Sequence, residues 1–168
     1  TVNVEGLFDI QQQAEFFATL GKANAAIELL EKRIRQNPQD CPLLYLQLLH
    51  IANQHNLKTD FRQFREECMQ WFNVDVPEFA LFRHEGRSLE DYPELLSHIT
   101  GIWPSTKVMD AIENCALRDP QAQVADRFDM AAFQDLIVLH AVARHRAYHR
   151  TEDKAPDPSE AEHISLDL

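Results

Sequence analysis

Glycine is scarce in this chain, with four among 168 residues. Loops that cradle phosphate are built on glycine, and neither GxxxxGK[ST] nor GxGxxG occurs. The nucleophile elbow GxSxG is missing as well. Cysteine is also rare: Cys41, Cys68 and Cys115 are odd in number, far apart and without a CxxC pair. They read as reduced thiols of a cytoplasmic protein, not as a disulfide framework or zinc ribbon. Cations are outnumbered, 16 Lys and Arg against 27 Asp and Glu, for a net charge of −11. So acidic a surface repels phosphate, which argues against general nucleic-acid binding and against attachment to anionic membranes. No apolar run approaches the roughly 18 residues of a membrane span, so no direct membrane insertion of this chain is expected. The opening Thr1-Val2-Asn3 carries no basic segment, no apolar signal core and no initiator Met. It predicts a processed chain or a fragment.

What is present is helical periodicity. Hydrophobic residues make up 45% of the chain, enough to build a core. Leu7, Ile10, Ala14, Phe17 and Leu20 recur in steps of three and four, which predicts a helix. Gly21 supplies a turn. Ala26, Ile27, Leu30 and Ile34 form the inner face of a second helix, and Pro38 stops it. Glu28–Lys32 and Glu31–Arg35 are i,i+4 pairs on its outer side. A second copy opens at Pro42 and continues through Leu44, Tyr45, Leu48, Leu49 and Ala52 to a turn at Asn56. Phe61, Phe64, Cys68, Trp71 and Phe72 mark its second helix. Gly21 and Asn56 lie 35 residues apart. Leu49 and Phe61 stand where the first copy has Ala14 and Ala26, which predicts a wider gap between the second pair of helices.

Residues 73–88 break the pattern, with one apolar run, Phe79-Ala80-Leu81-Phe82, expected as a single helical turn against the core. Asp91 as cap, Pro93 and Glu94 predict a further helix through Leu95, Leu96, Ile99, Ile102 and Trp103. Pro104 separates it from a helix over 105–117, with Val108, Ile112, Cys115 and Ala116 inward. Residues 119–127 read as a polar loop. Asp129 is expected to cap a long terminal helix to about His149, apolar on nearly every side and so buried or covered. From Thr151 the composition turns acidic and aperiodic, which predicts a disordered tail over 151–168.

The spacing of Ala14, Gly21, Ala26 and Pro38 resembles a tetratricopeptide repeat, a pair of packed helices of about 34 residues. The resemblance implies an all-α fold: antiparallel hairpins stacked as a short, irregular superhelix with a capping C-terminal helix. The expected domain spans 1–150, with a clear repeat at 7–38, a degenerate one at 42–72, a divergent hairpin at 91–117 and the cap at 129–149. In this family the first helix of each repeat lines a concave, peptide-binding surface. Carried onto this chain, that surface comprises Phe8, Gln11, Glu15, Ala18 and Thr19, then Leu43, Leu46, His50, Asn53 and Gln54. The resemblance therefore implies partner binding through Gln11, Glu15, Leu46, His50, Asn53 and Gln54. The set lacks the Lys and Arg clamp for a C-terminal carboxylate, so acidic peptide ends are not expected ligands.

A narrower likeness rests on Phe8-Asp9-Ile10-Gln11-Gln12-Gln13-Ala14-Glu15-Phe16-Phe17, Asp60-Phe61-Arg62-Gln63-Phe64-Arg65, Val76-Pro77-Glu78-Phe79, Trp103-Pro104-Ser105 and Phe128-Asp129-Met130-Ala131-Ala132-Phe133. Over about residues 7–145 the chain resembles the C-terminal region of proteobacterial FimV-like proteins. That implies a cytoplasmic part of a larger protein, acting in the assembly or localisation of type IV pili and polar machinery.

Side chains able to do chemistry are dispersed. His145 and His149 have i,i+4 metal-ligand spacing, but Arg144, Arg146 and Arg150 crowd them and oppose a divalent cation. The basic end of a helix, favoured by its dipole, is the plainer reading. His140 is expected to bond a carbonyl within the apolar segment. The carboxylates Glu66-Glu67, Glu90-Asp91 and Asp9 with Glu15 read as solvated faces. No catalytic residue, cofactor or metal is therefore expected. Three readings follow: a protein-binding scaffold; a small helical enzyme or metal-binding domain using His145 and His149; and an oligomeric module joined through its terminal helix.

Overall fold

The computed structural model describes residues 4–83, 86–119, 121 and 126–152. The fold is all-α. Helix α1 (Val4–Thr19) pairs with α2 (Ala23–Ile34), and α3 (Pro42–Gln54) with α4 (Lys58–Trp71). A short strand β1 (Val74–Asp75) follows, then α5 (Pro93–Ile102), α6 (Lys107–Ala116), β2 (Phe128–Asp129) and the long α7 (Met130–Glu152).

The first two hairpins close in the same way. At the end of α1, Gly21 takes φ 76°; its N–H bonds to the Ala18 carbonyl at 3.0 Å and the next N–H, of Lys22, reaches Phe17 at 2.9 Å. At the end of α3, Asn56 takes φ 57°; its N–H reaches Asn53 at 3.2 Å and the N–H of Leu57 reaches Ala52 at 2.8 Å. Both are left-handed helix stops that satisfy terminal carbonyls, and Asn tolerates that conformation better than most residues with a side chain. Ala14 and Ala26 are fully buried, as are Leu49 and Phe61 in the second pair. Leu20, expected inward, is exposed, because α1 ends at Thr19 and Leu20 lies in the turn; Ala18 is buried in the helix itself.

Helix α3 is the centre of the molecule. It touches α1, α2, α4 and α7, and buries Leu44, Tyr45, Leu46, Leu48, Leu49, Ile51 and Ala52. So broad an apolar surface must be covered by several neighbours. One connected core runs from Ala14 on α1 to Ala143 on α7.

The segment after α4 is not only a break. β1 pairs in parallel with β2, Val74 opposite Phe128 and Asp75 opposite Asp129. The Asn73 N–H bonds to the Ala116 carbonyl at 2.8 Å, and its side chain donates to Cys115 at 3.1 Å. The two-residue strands thus fasten the second hairpin to α6 and α7. The run Phe79–Leu81 is a single 3₁₀ turn, and Phe82 beyond it is buried.

Two expected caps have other roles. Asp91 does not cap α5, whose cap position is Tyr92; instead Asp91 accepts the Ser88 N–H at 3.0 Å across a 3₁₀ turn at Leu89–Asp91. Asp129 does not cap α7. It lies in β2, and its carboxylate accepts the Arg87 N–H at 2.7 Å and Arg87 Nε at 3.2 Å. The Arg87 guanidinium in turn stacks over Tyr92, 4.8 Å from the ring centre. Asp135 takes the Leu89 N–H at 3.1 Å, so the loop 86–92 is latched to the start of α7. Helix α6 begins at Lys107, after a cis Trp103–Pro104 peptide. Thr151 and Glu152, expected in a disordered tail, belong to α7. The rest of that tail, 153–168, lies outside the described residues, as do Pro120 and residues 122–125 of the expected polar loop.

Candidate functional site

The expected groove divides into two unequal halves. On α1, Phe8, Glu15 and Thr19 are exposed, while Ala18 is buried. Gln11 is half-buried, and its carbonyl accepts Gln47 Nε2 at 2.9 Å, a link from α3 to α1 that sequence spacing does not reveal. The α3 half is occupied by the chain itself. The His50 ring packs edge-to-face on Phe82 with centres 5.0 Å apart. Asn53 Nδ2 donates to the Phe79 carbonyl at 3.1 Å. Leu46 is only 4% exposed. Leu43 is half-buried, and Gln54 is exposed at the helix end.

Residues 79–82 therefore pack against the α3 half of the expected groove. Phe61 receives both aromatic rings, Phe79 at 5.3 Å and Phe82 at 5.0 Å, each near-perpendicular. Such edge-to-face pairs add about 0.5–1.5 kcal/mol each beyond area burial. Leu46 lies in the core, and His50 and Asn53 contact residues 79–82. The turn against the core is the one expected from the apolar run; its seat on α3 is what linear spacing does not specify. Phe79 and Phe82 sit three apart, as on one face of a tight turn, directly after a helix whose own inner face begins with Phe61.

Outside that half, α1 presents a different surface. Phe8, Phe16 and Leu20 are 58%, 62% and 55% exposed. Phe8, Gln12 and Phe16 follow one another at intervals of four along one side of α1, and Leu20 follows in the turn. Asp9, Gln13 and Glu15 flank that side and are exposed as well. Isolated apolar side chains on a surface are ordinary, whereas several large ones on one element leave apolar area uncovered.

The groups that carry chemistry remain apart. His145 and His149 meet through their Nε2 atoms at 3.1 Å on the outer side of α7. Among the described residues, no group of three or more His, Cys, Asp or Glu is arranged to hold a metal ion. His140 bonds to the Glu113 carboxylate at 2.7 Å instead of a carbonyl, tying α7 to α6. A shallow groove of about 620 Å³ between α5 and α6 is lined by His98, Asp110 and Cys115 among others. Cys115 Sγ donates to the Ile112 carbonyl at 3.2 Å, and burial raises its thiol above the usual value. A nucleophilic cysteine needs the opposite shift. Cys68 is more deeply enclosed, and burial pushes its thiol up to about 12.

No helix of the described residues is long and apolar enough to cross a membrane. Comparison with protein-family models, with curated proteins and with solved structures returned no match.

Proposed function

We propose that the chain is a protein–protein interaction scaffold that holds a partner through the outer face of α1. The observation that carries this reading is the exposed row Phe8, Phe16 and Leu20, beside an α3 surface already filled by residues 79–82. A partner would supply an apolar helix face or extended segment for these three anchors. Basic residues on that partner would meet Asp9 and Glu15. The reading keeps the tetratricopeptide-like hairpin of α1 and α2 as a rigid platform but moves binding from the concave to the outer side. The likeness to FimV-like proteins supports a place in assembling or localising type IV pili or polar machinery. Three free thiols, two of them buried, suit a reducing, cytoplasmic compartment. The scaffold needs no cofactor, metal or catalytic residue.

Capture from a lysate of the source cell tests the reading. Phe8→Ser with Phe16→Ser is expected to lose at least about tenfold of a retained partner, about 1.4 kcal/mol, while keeping the helical spectrum. Undiminished retention would reject the α1 surface.

A second reading has its own observation. Val138, Val142 and Tyr148 are exposed on α7, the first two one helical turn apart. They favour an oligomeric module in which two terminal helices pair. Sizing at two concentrations separates it from the first reading, because a monomer at both excludes α7 pairing.

A further inference from the structure

Three arginines from distant parts of the chain lie along the seam where the end of α4, β1 and β2 meet. Arg65 on α4 donates from Nε to the Val76 carbonyl at 2.7 Å. Arg118, just past α6, donates its backbone N–H to Trp71 at 3.0 Å and Nη1 to the Met69 carbonyl at 3.4 Å. Arg127 directly precedes β2, whose Phe128 N–H bonds to the Asn73 carbonyl at 3.1 Å. Each is held by backbone carbonyls or by strand pairing, not by a carboxylate. Among the described residues, none of the three has a carboxylate oxygen within 4.0 Å. Arg127 is half-buried, and its side chain makes no hydrogen bond among the described residues.

The electrostatics agree with that geometry. Burial, and then the Arg118 charge, pull the Arg127 guanidinium below its usual value; Asp75 pushes back and Arg65 adds to the depression. In a chain of net charge −11, two of the three charges that act on Arg127 are cations, Arg118 and Arg65, and the third is Asp75. A partly desolvated cation without an acceptor is unfavourable until an anion completes it.

We propose that Arg65, Arg118 and Arg127 form a binding site for an oxyanion, the carboxylate or phosphate group of a ligand. The guanidinium is a planar fork of N–H donors matched to both groups. Arg65 uses Nε on Val76 and Arg118 uses Nη1 on Met69, which fixes the two side chains and leaves their other donors for the ligand. Arg127 offers its whole fork. Asp75 sets the charge requirement, since a multiply charged anion outweighs it better than a single carboxylate. The site lies away from α1 and does not depend on the partner reading.

Calorimetric titration of the whole chain tests it, with inorganic phosphate and, separately, with a hexaglutamate peptide at constant ionic strength. Saturable binding of at least one probe is expected. Arg127→Gln should raise its Kd about tenfold or more, as loss of a charged hydrogen bond does. Arg146→Gln, an exposed arginine on α7, should leave Kd unchanged. Binding of phosphate alone assigns the site to phosphate groups, and binding of the peptide alone assigns it to carboxylates; either supports the site. If Arg127→Gln fails to fold, Arg127→Lys retains the charge but loses the fork, and weaker binding is again expected. Failure of both probes to bind, or equal Kd in wild type and the Arg127 variant, overturns the proposal.

Discussion

Gly86 shows how much one residue can hold. Its φ is +76°, and a Cβ there would stand 2.6 Å from the Asp129 carboxylate that clasps Arg87. Gly21 has the same φ but nothing within 4 Å of a Cβ. Both pay the left-handed penalty when substituted; only Gly86 also forces the latch apart. Gly86→Ala is therefore expected to cost about 1–3 kcal/mol, and Gly21→Ala about 1 kcal/mol. Urea unfolding compares them, and an equal loss would refute the latch. Asp129 gives a pH signature of the same contact. The Arg87 N–H, then the guanidinium, hold its carboxyl below the usual 3.8. A depressed folded value stabilises above the unfolded pKa, and that stability fades as pH falls below 3.8 through the folded value. Asp129→Asn should be less stable than wild type near neutrality, with the difference shrinking in acid; a pH-independent difference would deny the linkage. The thiols supply a third residue-level test. Cys68, fully enclosed and pushed up to about 12, should react with a thiol reagent only after unfolding, while half-buried Cys115 reacts first. Prompt native labelling of Cys68 would contradict the described core.

At the scale of elements, the turn at 79–82 explains why the second hairpin offers no open groove. Phe82 is buried against Phe61 and His50, whereas neighbouring Leu81 is exposed. Phe82→Ala should cost about 3–5 kcal/mol, the range for removing a buried aromatic. Leu81→Ala should fall within about 0.5 kcal/mol of wild type, as exposed substitutions do. Thermal unfolding measures both, and similar melting temperatures would mean that the turn does not plug the hairpin. The helices were largely legible. Steps of three and four at Ala26, Ile27, Leu30 and Ile34, and at Phe61, Phe64 and Cys68, mark faces that are buried. Elements shorter than a helical turn were not. Val74 and Val76 alternate inward around an exposed Asp75, a strand pattern too brief to stand out. Asp91 and Asp129 look like helix caps in one dimension because a cap needs only an acid before an apolar run. Their partners, Ser88 and Arg87, are chosen by loop geometry that local spacing does not encode.

For the whole molecule, the repeat spacing conveyed the hairpins but not the depth at which α3 lies. A regular repeat leaves its first helices lining a concave face. Here α7, α4 and residues 79–82 close around α3, so Leu46, His50 and Asn53 turn inward and α1 keeps the free surface. Phe8 and Phe16 were visible in the sequence as aromatic residues, yet their exposure depends on α1 being the outermost layer, with no further helix stacked on it among the described residues. A partner is expected to dock on this outer layer. Amide hydrogen exchange on the complex with a captured partner reads it directly, because terminal helices open locally and report added protection. The prediction is slower exchange along residues 8–20 of α1 and unchanged exchange across 46–54 and 79–82. Protection confined to α3 and the 79–82 turn, with α1 unaltered, would contradict it.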